Sequence, residues 1–211
     1  MIIVRVIDCI EKEGIMIRAS LVWGTASIMI AVLGYWSLSS AAKDRTAKAG
    51  IPPEIVADYV HAIIEADRTL YTTDVVERMQ EKGIVVVSEN WEQHNTLSLS
   101  AQFLAKAAHL AAEKSPGVHY RLLSFWPIRE RNRPASAFER TGLEAVLMQP
   151  DRPFTEVVER GGKLYFLAMY ADRAVSQACI GCHNAHPESP KRDFKTNDVM
   201  GGMLITVPME Q

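Results

Sequence analysis

From Pro53 onward apolar residues fall at three- and four-residue steps, at Val56, Tyr59, Val60, Ile63, Ile64, Leu70, Tyr71, Val75 and Met79, and the pattern stops at Gly83. That period predicts one long amphipathic helix, with Pro53 suited to its first turn. Its stripe can pack on its own domain or pair with a second copy of the chain. After a polar stretch ending near Thr96, the alanine-rich residues 101–114 predict a second helix, stopped by Ser115-Pro116-Gly117. The period then shortens. Residues 118–125 read as a strand, 127–134 as an ordered loop, and 136–148 as a helix ending ahead of Pro150. Residues 154–160 and 163–171 flank Gly161-Gly162, two residues that tolerate positive φ, and so predict a hairpin; 203–207 supply a last strand. An α+β domain follows, a small antiparallel sheet with helices on one side.

The N-terminal part has a different pattern. Residues 21–38 carry no charge and rise roughly 27 Å as a helix, just short of a bilayer's hydrocarbon core. Arg18 precedes the run, Trp23, Tyr35 and Trp36 lie near its ends, and Lys43, Arg45 and Lys48 follow. The expected organisation is a cytoplasmic stub over 1–20, an anchor or uncleaved signal over 21–40, a linker over 41–52 and the folded domain over 53–211, facing the periplasm from the inner membrane. A cleaved leader is the alternative, because Ser39-Ser40-Ala41-Ala42 offers small residues after the apolar run, and Met16 is a second candidate start.

Composition adds an exclusion. With 48% hydrophobic residues and a formal charge of −2, the chain can bury one ordinary core but has no broad basic surface for nucleic acid. Its three cysteines cannot build a disulfide framework: Cys9 stands ahead of the apolar run, while Cys179 and Cys182 share one pentapeptide.

That pentapeptide, Cys179-Ile180-Gly181-Cys182-His183, carries the chemistry. Thiols three residues apart can reach the two vinyl groups on one porphyrin edge, and the following imidazole falls under the iron. The sequence therefore predicts one haem c, attached through Cys179 and Cys182 with His183 as proximal ligand, and Gly181 is expected to allow a tight backbone around the macrocycle edge. Zinc held by the two thiols with His183 or His186 is a rival, although structural zinc sites usually combine separated ligand pairs. A thioredoxin-like redox pair is another, but that motif opens a helix after a strand, whereas proline-rich loop sequence follows here.

For the second iron ligand, His94 is the leading candidate, placed just ahead of the alanine-rich helix where its side chain can enter a pocket. His61, His109, His119, Met200 and Met203 are further candidates, and five-coordinate iron is the alternative. His186, close to His183, is expected to hold a propionate or to support the ligand from behind.

Several stretches together resemble the haem-containing, PAS-like extracytoplasmic sensor domains of bacteria. They are residues 94–103, beginning His94-Asn95-Thr96; Tyr120-Arg121-Leu122-Leu123-Ser124 with Pro127 and Asn132-Arg133-Pro134; Gly161-Gly162-Lys163; the haem pentapeptide with its downstream Asn184-Ala185-His186-Pro187; and Gly201-Gly202-Met203. Ser98 and Ser100 stand where that family often has proline, and Arg129-Glu130-Arg131 replaces a more usual Arg-Asn-Pro run. The resemblance implies covalent haem on a PAS-like sheet, and a redox or diatomic-gas sensor module that is not an enzyme. Such a module needs a separate signalling protein, and a homodimer through residues 53–82 is a candidate assembly. A membrane-tethered electron carrier serving a larger redox complex is the second reading.

Overall fold

The computed structural model describes residues 50–115 and 117–209. The stub, the anchor segment, Met16, Cys9 and most of the linker lie outside them. Among the described residues no helix is long and apolar enough to cross a membrane.

The first helix, α1 (Pro53–Leu70), has proline where an amide hydrogen would be unpaired in any case. It runs without interruption into a π-helical stretch, Tyr71–Glu77, and a last turn, α2 (Arg78–Glu81), beyond which Gly83 adopts φ 65°. The periodicity thus located the rod and its end but not the change of winding inside it. The cause is local: the hydroxyls of Thr72 and Thr73 donate to the carbonyls of Arg68 and Thr69, competing with the amides that would close ordinary turns there. The rod is two-sided. Ala57, Ile64 and Arg68 face inward, whereas Ile55, Tyr59, Ile63 and Leu70 remain exposed.

After the short α3 (Trp91–His94), α4 (Ser100–Lys114) leads to the sheet. The strands are β1 (His119–Leu123), β2 (Phe154–Arg160), β3 (Lys163–Arg173) and β4 (Val199–Pro208), in spatial order β1-β4-β3-β2 and all antiparallel. Gly161 and Gly162 take φ 60° and 74°, the positive pair that a two-residue hairpin turn requires. β1 is shorter than its apolar run because Ser124 turns the chain: its hydroxyl donates to the Met200 carbonyl and accepts from the Trp126 amide.

The expectation of helices on one side is corrected. Along β3, Phe166, Ala168 and Tyr170 pack with Ala57 and Ile64 of α1 and Leu104 of α4, while Leu167 and Met169 pack with Phe138, Leu143 and Val146 of α5 (Ala137–Met148). Both faces are covered, so the strand reads as a continuous apolar run rather than an alternating one. α5 begins in a capping box, where Ser136 Oγ accepts from the Glu139 amide and the Glu139 carboxylate accepts from the Ser136 amide.

β4 starts earlier than its apolar residues suggest because Gly201 and Gly202 belong to it. A Cβ on Gly201 would lie 2.1 Å from the Leu123 carbonyl oxygen, and one on Gly202 would lie 2.5 Å from the Met169 sulfur. Gly201→Ala must therefore push β1 away from β4. We expect a loss of about 3 kcal/mol, at the upper end for overpacking, read from the urea midpoint. An unchanged midpoint would show that the two strands separate without cost.

Candidate functional site

The pentapeptide lies on a helix, α6 (Gln177–Ala185), that the local sequence did not predict. Two groups hold its start: the Ala178 amide donates to Ser176 Oγ at 3.2 Å and to the Glu77 carboxylate at 3.1 Å. Glu77 closes the π-helical stretch, so α6 is tied directly to the first rod. His186-Pro187 ends the helix, as the residue before a proline avoids helical backbone. Ile180 is buried with Ala174, Phe194 and Met200, and the Asn184 side chain exchanges two hydrogen bonds with the Phe194 backbone. These contacts fix the rotation of α6.

Spacings of three and four residues then bring Cys179, Cys182 and His183 to one side of α6. All three line a cavity of about 660 Å³, within the range of small-molecule and cofactor sites. α4 contributes Ala101, Leu104, Ala105 and Ala108 to its wall; β1 and the following loop supply Tyr120, Leu122 and Pro127. Gly181 also lines it. Its backbone is helical rather than tightly turned, and no atom lies within 4 Å of the point to which a Cβ would project.

The chemistry of the donors suits a tetrapyrrole. Both cysteines are free thiols, and burial, then Glu89, raises the pKa of Cys182. Burial, followed by His186 and Arg68, lowers the pKa of His183 and favours the neutral imidazole that a metal needs. His183 Nδ1 is buried without a hydrogen-bond partner among the described residues, and the ring packs edge-on against Phe194 at 5.8 Å. No group of three or more His, Cys, Asp or Glu among the described residues is gathered closely enough to hold a metal ion by itself, so the zinc arrangement is not assembled.

Charged residues surround this apolar volume in pairs. Arg68, 8% exposed, forms an ion pair with Asp172 at the cavity wall; burial lowers its pKa, with the Cys179 thiol the first group opposing that shift. Glu89 receives Arg129 at 2.6 Å and faces His186 Nε2 at 3.2 Å. His186 Nδ1 accepts from the Glu188 amide, which leaves Nε2 as the donor toward Glu89. His186 therefore stands beside the site, with its Nε2 3.2 Å from a cavity-wall carboxylate.

The other candidates are dispersed. His94 does not enter the cavity: it is exposed at the end of α3, where Asn95 at φ 53° turns the chain away. His61 stacks on Tyr170 with ring centres 4.0 Å apart, His109 is 77% exposed beside Glu113, and His119 is exposed on β1. Met203 is buried in the core between the sheet and α1, while Met200 lines the cavity. Residue-level reading missed Arg68, Asp172 and Glu89. A signal existed for Arg68, an arginine in register with Ala57 and Ile64 on an inward helix face.

A search of curated proteins finds no match to this chain. Among solved structures it is similar to the cyanobacterial heme-protein Tll0287, at 17% identity and a TM-score of 0.44, over 76% of this chain and 99% of that one. A family model described as Tll0287-like matches residues 53–208, a span that includes all four strands, the first rod and α6. The chain belongs to the Tll0287-like family.

Proposed function

We propose that this protein binds one haem c in the cavity beside α6, through thioethers at Cys179 and Cys182 and with His183 on the iron, and works as an exported sensor module of PAS-like build. The observation that carries this reading is the convergence of two free thiols and one neutral imidazole on a single cavity of about 660 Å³. The solved relative described as a heme-protein belongs with it. Haem supplies an iron centre that can change oxidation state and accept a ligand.

The chain's own residues fix the attachment and the surroundings. Ser176 and Glu77 hold the start of α6, Ile180 and Asn184 set its rotation, and His183 offers a neutral nitrogen. The alanine and leucine side chains of α4 give the cavity an apolar stretch of wall. His183 is the only histidine among the lining residues, and Met200 packs with Ile180 and Phe194, on the α6 side. One strong protein ligand favours sensing over electron transfer. Glu77 provides an output, because a displacement of α6 pulls on the π-helical stretch and thus on the rod that leads back to residue 53 and the apolar run beyond it. A separate membrane partner then reads the signal.

Protein expressed with a cytochrome c maturation system should show a Soret band that shifts on adding CO. A haem spectrum that ignores both CO and NO would replace the sensor by the electron carrier; absence of any Soret band would remove the haem assignment.

A further inference from the structure

Four arginines line the cavity, and three of them are already matched. Arg68 pairs with Asp172, Arg129 with Glu89 at 2.6 Å, and Arg121 with Glu139 at 3.3 Å. Arg131 has no hydrogen bond or ion pair among the described residues. Its neighbour Asn132 also lines the cavity, and only the Asn132 backbone is engaged, accepting from the Ser124 amide and donating to the Arg129 carbonyl. Both residues belong to the 3-10 turn Glu130–Asn132, which the second bond closes and the first pins to the end of β1. The wall thus presents an uncommitted guanidinium beside an uncommitted amide on a fixed turn, donors that match the two oxygens of a carboxylate.

We infer that Arg131 and Asn132 form a carboxylate-binding subsite that takes a propionate of the bound tetrapyrrole. This rests on the haem reading and extends it to the cofactor's acidic edge. The paired arginines are unsuited to the task, since each would have to abandon a carboxylate. Arg131 has nothing to abandon, so its removal costs the fold little.

The test uses the full chain loaded with covalent haem. Arg131→Gln should move the propionate bending band in the resonance Raman spectrum. It should also favour the ferric form roughly threefold, because a nearby positive charge is lost; at 59 mV per tenfold for one electron, the potential falls by about 28 mV. Arg131→Lys should keep most of the potential. Arg160→Gln, which removes an exposed arginine at the β2–β3 turn, should change neither reading. An unmoved Raman band in Arg131→Gln overturns the subsite while leaving haem attachment intact. Wild-type protein without covalent haem overturns both.

Discussion

A Cys179→Ala/Cys182→Ala variant is expected to lose all covalently held haem: denaturing gels stained for haem go blank, and acidified acetone extracts whatever cofactor remains. The thiols stand three residues apart on α6, on the side that lines the cavity, and no other cysteine lies among the described residues. Each single variant should retain haem through one bond, with a pyridine haemochrome maximum displaced to longer wavelength by the unreacted vinyl group. The fold should tolerate the change. Both cysteines are only partly buried, Cys182 makes no hydrogen bond among the described residues, and Cys179 makes a weak 3.7 Å contact with Ser176 and an interaction with Arg68, so the apo-protein should lose about 1 kcal/mol at Cys182 and somewhat more at Cys179. Haem that stays with the denatured double variant would end the assignment.

The spacing of those cysteines was legible because two thiols followed by a histidine can be read directly along the chain, independent of the backbone that presents them. The helix presenting them was not. Cys-Ile-Gly-Cys-His contains no strong helix former, and only Ser176 at one end and Pro187 at the other mark its limits. The sheet was readable in its hairpin, where Gly161-Gly162 dictates the turn, yet its two-sided burial lay in a feature read differently: the uninterrupted apolar run of β3. Asn95 likewise signalled the left-handed turn that directs His94 to solvent. Charge pairing at the cavity is a different kind of information. Arg68 and Asp172 are 104 residues apart, and Glu89 meets Arg129 and His186 from a loop with no periodicity of its own. Partners of this kind follow from tertiary packing, which a reading of local period cannot supply.

Asp172→Ala should be among the most damaging single changes in the domain, because it strands a buried guanidinium. Arg68 is 8% exposed, its Nε already lacks a partner, and Asp172 is its ion-pair partner at the cavity wall. Removing the partner of a buried charge costs about 3–5 kcal/mol, most of it the penalty of leaving that charge uncompensated rather than the worth of the pair. The companion variants separate those two quantities. Arg68→Met, which leaves the Asp172 carboxylate without its partner, should cost a similar amount, because the two side chains are equally buried at 10% and 11% exposed. Arg68→Met/Asp172→Leu should restore most of the lost stability, since an apolar pair of similar volume replaces both charges. Urea unfolding of the apo-protein compares these variants with the wild type, and a loss below about 1 kcal/mol in Asp172→Ala would show that solvent already screens Arg68. Because Arg68 also interacts with Cys179, the double variant should alter the surroundings of that sulfur without unfolding the cavity, and covalently bound haem should still be detected on it.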